Sequence, residues 1–115
     1  MDIEPHRRAA LYAALNRLQA ALETAELWEE ERPPEEELQS RQPFCYDTLL
    51  VHQWLQWRFI PRLRAILDRH GALPETCAIY PYAEDFLDAE DERHGELLRV
   101  IRLLDELITE APPAH

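Results

Sequence analysis

Residues 48–71 read TLLVHQWLQWRFIPRLRAILDRHG, and this stretch decides the fold. Its first half is apolar around most of a helical cylinder, which predicts a helix that other helices cover on several sides. Pro61 has no amide hydrogen for the carbonyl of Trp57, yet helical spacing of apolar residues resumes at Leu63. The pattern therefore predicts one central helix over 48–69 that is kinked at Pro61, or two helices that abut there.

Both ends of the central helix carry boundary signals. Asp47 offers a side-chain oxygen to the first free amides, so we expect it to be the N-cap of a helix that begins at Thr48. Gly71 stands where a left-handed residue commonly ends a helix. The segment that follows has no helical periodicity, and we expect it to send Ile79 and Phe86 into the core.

Two further amphipathic helices flank the central one, because apolar residues recur at intervals of three and four. The first helix, within residues 7–28, has a stripe formed by Leu11, Leu15, Leu18, Leu22 and Ala25. The last helix, within residues 91–109, has a stripe formed by Leu97, Ile101, Leu104 and Ile108. Counting the central helix on both sides of Pro61 predicts an all-α fold, a four-helix bundle with a proline-kinked central helix and long loops.

The length of 115 residues suits one hydrophobic core, which predicts a single domain over residues 1–115. Residues 29–46 contain the run EEERPPEEE, where like charges surround two prolines, and they are expected to form an acidic, solvated linker. The tail at 110–115 is expected to fray.

The formal net charge of -11 and the pI near 4.8 restrict the partners of the chain. An acidic surface repels phosphate backbones, so we expect no direct binding of nucleic acid. It suits a basic protein partner, although solubility alone explains the charge equally well. No signal peptide pattern and no apolar run long enough for a membrane span occur, which favours a cytoplasmic protein without membrane contact.

Side chains for catalysis or metal binding are scarce. Cys45 and Cys77 stand apart and are expected to be inert thiols, and Cys45 with His52 lacks a third catalytic group. A di-iron bundle needs two carboxylate-x-x-His pairs, and only Asp91-x-x-His94 has that spacing. The sequence therefore predicts no enzyme activity, no catalytic residues, no metal and no cofactor. A metal-dependent oxidase is the weakest alternative.

Several short motifs together resemble the YqcC-like family of small bacterial proteins. They are Gln42-Pro43-Phe44, Asp47-Thr48, Trp54-Leu55-Gln56-Trp57, Ile60-Pro61-Arg62, Leu73-Pro74, and Pro81-Tyr82 with Glu84. The resemblance covers roughly residues 7 to 108 and implies a helical bundle without known enzymatic activity. Some members of the family are encoded beside a tRNA pseudouridine synthase, which implies an accessory role in tRNA modification and a basic RNA-modifying enzyme as the protein partner.

The candidate contact residues come from the central helix around Pro61 and from the motifs at Phe44 and at Pro81-Tyr82 with Glu84. Trp54 and Trp57 either belong to the core or line a ligand pocket. Arg58 and Arg62, in the one basic stretch of the chain, either bind a partner or pair internally with the acidic linker or with Glu84. The full candidate set for binding a partner or ligand is Phe44, Trp54, Trp57, Arg58, Arg62, Tyr82 and Glu84.

The sequence thus predicts a non-catalytic accessory or protein-interaction module. Its predicted contact face is formed by Phe44, the Pro61 kink and the loop at Pro81 and Tyr82. The alternative from another class is a protein that binds a small anionic ligand through Arg58 and Arg62.

Overall fold

The computed structural model describes residues 3–109, and all regular structure within them is helical. The predicted all-α class is confirmed. In chain order, the helices are α1 (Pro5–Thr24), α2 (Glu35–Leu38), α3 (Val51–Trp54), α4 (Ile60–Asp68), α5 (Tyr80–Ala83) and α6 (Glu92–Thr109). A 3-10 turn spans Pro43–Cys45, and a π-helical turn at Leu55–Phe59 joins α3 to α4. The predicted frayed tail lies outside the described residues.

Helices α1 and α6 pack antiparallel and form the main wall of the core. Arg7 at the start of α1 donates hydrogen bonds of 2.6 Å to the carbonyls of Leu107 and Ile108 at the end of α6. Arg17 pairs with Glu96 near the start of α6. Both predicted apolar stripes are buried, as amphipathic helices require. No helix within residues 3–109 is long and apolar enough to cross a membrane.

The central helix is continuous from α3 through the π-helical turn to α4, and no residue from Val51 to Ile60 is exposed. The amide of Ile60 donates to the carbonyl of Leu55, five residues earlier. Because Pro61 follows at once and cannot donate, the wider turn accommodates the position where the α-helical ladder would fail. The predicted kink thus takes the form of a π-helical turn.

The predicted start of the central helix and its predicted capping residue were wrong, whereas α4 ends at Asp68, one residue before the predicted end. The helix begins at Val51 rather than Thr48, and the Asp47 carboxylate accepts a hydrogen bond from Ser40 instead of capping it. At the other end His70, not Gly71, has the left-handed conformation, with φ of 55°. The amide of Gly71 then donates to the carbonyl of Ile66 over 2.8 Å, which completes a Schellman motif.

The segment 29–46 is fastened to the central helix, although most of its acidic side chains are exposed. The buried side chain of Gln56 accepts from the amide of Glu29 at 2.7 Å and donates to its carbonyl at 2.6 Å. Leu38 and Cys45 are buried in a small second cluster beside the main core.

Within the later loop Ile79 is buried as predicted, whereas Phe86 is 58% exposed, so its predicted burial was wrong.

Candidate binding cleft

A cleft of about 280 Å³ opens between the central helix, the loop before α5 and the end of α6. We call it the arginine cleft. Its walls are mostly apolar, and two guanidinium groups are the charged groups that line it. The lining residues are Phe44, Trp54, Arg58, Phe59, Arg62, Leu63, Ile66, Pro74, Thr76, Cys77, Ala78, Ile79 and Ile108.

The two arginines of the cleft have no hydrogen-bond or ion-pair partner within residues 3–109. Arg58 is half-buried and Arg62 is exposed, and four residues separate them along the central helix. The expected internal pairs with the acidic linker or with Glu84 are not formed among the described residues. The pKa of the Glu35 carboxyl is lowered chiefly because Arg32 donates to it, and Arg58 adds a more distant positive charge. The cleft therefore presents positive charge in an acidic protein.

Four side chains form an aromatic row along one edge of the arginine cleft: Trp54, Phe44, Tyr82 and Phe86. Phe44 meets Trp54 edge to face at 5.0 Å and stacks on Tyr82 at 4.5 Å, and Tyr82 contacts Phe86 at 4.8 Å. Burial raises the pKa of the Tyr82 hydroxyl. The row reaches from the half-buried Trp54 to the exposed Phe86, so it offers a continuous apolar surface.

The backbone that positions Phe44 is strained. Phe44 and Cys45 have φ angles of 58° and 50°, a region that residues with side chains rarely adopt. The buried Cys45 side chain anchors this turn in the second cluster, whereas the ring of Phe44 joins the aromatic row. Strain of this kind persists only where the surrounding structure over-determines it, and it is frequent at binding sites.

Asp105 of α6 fastens the loop that forms the outer wall of the arginine cleft. Its carboxylate accepts hydrogen bonds from the amides of Ile79 at 3.0 Å and Tyr80 at 2.7 Å and from the Cys77 thiol at 3.1 Å. Burial, together with this carboxylate, raises the pKa of Cys77 to about 12. Sequence reasoning missed Asp105. One feature of the sequence could have indicated this residue: Asp105 has a short carboxylate side chain and directly follows Leu104 of the predicted inner stripe.

The structure gathers part of the candidate set. Phe44, Trp54, Arg58 and Arg62 line the arginine cleft, and Tyr82 adjoins it through Phe44. Trp57 and Glu84 are not among the lining residues. Trp57 packs against the second cluster, where its indole nitrogen is buried without a partner among the described residues, and Glu84 is exposed.

The side chains considered for catalysis are engaged in local structure. His94 Nδ1 accepts from the amide of Asp88, and Asp91 binds the amide and the guanidinium of Arg93, so both serve the start of α6. His52 lies 3.6 Å from Glu29, and the Cys45 thiol donates to the carbonyls of Leu38 and Ser40 rather than to His52. Within residues 3–109, no group of three or more His, Cys, Asp or Glu side chains is placed to hold a metal ion.

Comparison with known proteins identifies the family. The family model DUF446, described as tRNA pseudouridine synthase C, matches residues 10–107. The chain belongs to the YqcC-like family, DUF446. It is 39% identical over 93 residues to an uncharacterised protein of Haemophilus influenzae, an alignment that covers 81% of this chain and 87% of that protein. It is 33% identical over 96 residues to the uncharacterised protein YqcC of Escherichia coli, with 84% and 88% covered.

A solved structure and a longer protein complete the comparison. The solution NMR structure of YqcC from E. coli matches with a TM-score of 0.79 and 31% identity, over 95% of this chain and 94% of that one. The tRNA pseudouridine synthase C of Pectobacterium carotovorum is 41% identical over 59 residues, which are 51% of this chain but 16% of that protein. The predicted YqcC-like resemblance is confirmed.

Proposed function

We propose that this chain is a non-catalytic accessory protein that binds a tRNA pseudouridine synthase. The observation that carries the binding role is the arginine cleft, where Arg58 and Arg62 flank an apolar cavity without an internal partner in residues 3–109. Guanidiniums beside apolar walls are typical of protein contact sites, in which arginine and aromatic side chains supply much of the binding energy.

The chemistry of the cleft favours binding over catalysis. Cys77 is the strongest nucleophile by residue type in its lining, and a pKa of about 12 keeps that thiol protonated. A general base is not present among the lining residues that the structure describes. The proposal therefore assigns the lining a contact role.

The comparisons suggest the class of partner. A protein named tRNA pseudouridine synthase C contains a segment like about half of this chain, within a polypeptide several times longer than that segment. Two units in one polypeptide meet at high effective concentration, and separate chains need an interface to achieve the same proximity. The net charge of -11 suits a basic, RNA-handling enzyme and disfavours direct contact with RNA. Such a role would place the chain in the cytoplasm.

Calorimetry with the purified synthase from the same organism tests this proposal. We expect a stoichiometric complex with a dissociation constant of about 1 µM or tighter, equivalent to about -8.2 kcal/mol. Addition of the chain should change the rate at which the synthase forms pseudouridine in tRNA, while the chain alone should form none. Absence of a complex by both calorimetry and gel filtration would exclude the accessory role, and pseudouridine formed by the chain alone would exclude the non-catalytic one.

A second candidate function is the binding of a small anionic ligand, which the same pair of guanidiniums favours. Titration with inorganic phosphate and with succinate would test it directly. Millimolar or tighter binding that disappears in Arg58→Gln and Arg62→Gln would favour this candidate over the accessory role, provided that the synthase does not bind.

A further inference from the structure

We propose that the arginine cleft receives a short segment of the partner protein in which an apolar side chain neighbours an aspartate or glutamate. The inference rests on the proposed accessory function, because it specifies which surface of the chain makes the contact and what chemistry the partner presents there. It goes further by naming a segment of protein as the occupant of the cleft.

The size and the walls of the cavity fit amino-acid side chains. Its volume of about 280 Å³ lies slightly below the roughly 300–1,000 Å³ of sites that enclose a small-molecule ligand. Leu63, Ile66 and Ile108 supply aliphatic surface. A cavity of this size and composition can take one or two apolar side chains, whereas apart from its two guanidiniums it offers the ribose and base of a nucleotide few polar side chains.

Charge complementarity identifies the second element of the segment. Elsewhere within residues 3–109, several surface arginines lie against carboxylates, as Arg17 does with Glu96 and Arg93 does with Asp91, although Arg41 does not. Arg58 and Arg62 have no such contact within residues 3–109, although the chain carries 23 acidic residues. A planar guanidinium binds a carboxylate through two parallel hydrogen bonds, so two of them at the mouth of an apolar cavity favour an acidic residue beside the buried one.

The aromatic row gives the segment a surface on which to continue. Its exposed end at Phe86 is 58% accessible, and its inner member Trp54 lines the cleft. A bound chain can therefore run from the cavity along the rings and bury apolar area beyond the cavity itself. The strained turn at Phe44 is what brings that ring between Trp54 and Tyr82.

The contrast between cleft and surroundings would also fix the orientation of the partner. A partner whose surface is basic overall is attracted to the acidic body of this chain, but only its acidic and apolar segment fits the arginine cleft. Placing the segment elsewhere would leave its carboxylate beside other carboxylates, which is a repulsive arrangement.

The test uses the full chain, the purified synthase and four variants. Arg58→Glu and Arg62→Glu reverse the charge at the mouth of the cleft, and Ala78→Trp fills its exposed outer side without a change of charge. Arg41→Glu is the matched control, because Arg41 is also exposed, has no partner within residues 3–109 and does not line the cleft. Thermal melting of each variant confirms that it is folded.

We expect each cleft variant to weaken binding of the synthase by about tenfold or more, in the range measured for close charge pairs at interfaces. Arg41→Glu should leave the affinity close to that of the unmodified chain. If all three cleft variants bind like the control, the synthase binds elsewhere and the inference is wrong, although the accessory function stands. If the unmodified chain does not bind the synthase, the accessory function fails first.

A charge swap identifies the occupant. Overlapping peptides that span the synthase are titrated into the unmodified chain, and the peptide that binds should contain an aspartate or glutamate next to an apolar residue. Changing that acid to lysine should abolish binding to the unmodified chain and restore it to Arg62→Glu. Absence of any acidic binding peptide would overturn the inference. Binding of labelled tRNA to the unmodified chain but not to Arg62→Glu would also overturn it. Self-association of the unmodified chain that Arg62→Glu abolishes would do the same.

Discussion

The wall formed by α1 and α6 differs from the face that bears the arginine cleft in the pairing of its arginines and in backbone strain. In the wall, four leucines of α1 are 0% exposed, and Arg7 and Arg17 are held by carbonyls or a carboxylate of α6. On the cleft face, Arg58 and Arg62 lack such partners among the described residues, and the backbone at Phe44 is strained. The arginines of the wall are bound within the protein and contribute to its stability. The two arginines of the cleft have no partner within residues 3–109 and can therefore bind another molecule.

The largest expected effect tests the wall. Ile101→Ala and Leu104→Ala should each lower the free energy of unfolding by about 2–5 kcal/mol, because both side chains are fully buried and truncation leaves a cavity. Urea denaturation measures the change. Leu103→Ala is the matched control on the same helix, since Leu103 is only partly buried. Equal losses for all three substitutions would mean that α6 does not present one buried stripe to the core.

The next effect tests the junction between the two regions, where Asp105 of the wall holds the loop of the cleft. Asp105→Asn keeps the shape but places an amide group against one of the two backbone amides that now donate to the carboxylate. We expect a loss of about 1–3 kcal/mol in unfolding free energy, as for a hydrogen-bonded group left unsatisfied. The control is Glu106→Gln, whose side chain is exposed and makes only a surface ion pair. An unchanged stability in Asp105→Asn would show that other contacts hold the loop, among them the hydrogen bonds between Thr109 and Cys77.

The same comparison explains what the sequence could predict. The stripes of α1 and α6 follow from spacing, since a period of 3.6 residues is a local property of the chain. The cleft depends on contacts between distant residues, such as Asp105 with the amide of Tyr80, which no local pattern encodes. Phe44, Trp54, Arg58 and Arg62 were grouped from the family-like motifs and the basic stretch at Pro61, and the structure brings these four together.

The errors have local physical causes. Ser40 donates to Asp47, so that carboxylate is not available as a cap, and the helix begins three residues later than predicted. Gly71 was predicted to adopt the left-handed angle because glycine tolerates it best, but His70 adopts that angle and Gly71 is the residue after it. Phe86 has the residue type of a core side chain, yet its place at the outer end of the aromatic row leaves it exposed.

A smaller effect tests strain in the helix that both regions share. His70→Gly should raise the unfolding free energy by about 0.5–1 kcal/mol, because relief of the left-handed penalty outweighs the extra flexibility of glycine in the unfolded chain. Arg69→Gly is the control, since Arg69 has a φ of -96° and gains nothing from glycine. Thermal melting should move the two variants in opposite directions. A lower melting temperature for His70→Gly would show that its side chain makes a stabilising contact.

The smallest expected effect is that of Arg62→Glu, and it is measured against Arg8, an arginine that supports the fold. Arg8 donates twice to the carbonyl of Leu67 at the end of α4 and lies 5.1 Å from the centre of the Tyr12 ring. Arg8→Ala should therefore lower the unfolding free energy by about 1–3 kcal/mol, because its charged hydrogen bonds are lost.

Arg62→Glu should change the same quantity by about 0.5 kcal/mol or less, as for a surface residue without a structural contact. Both variants are compared by urea denaturation at one pH and one salt concentration. A loss in Arg62→Glu as large as that in Arg8→Ala would mean that Arg62 has a counter-ion inside the protein. In that case the cleft would be a neutralised part of the fold, and its charge would not be available to a partner.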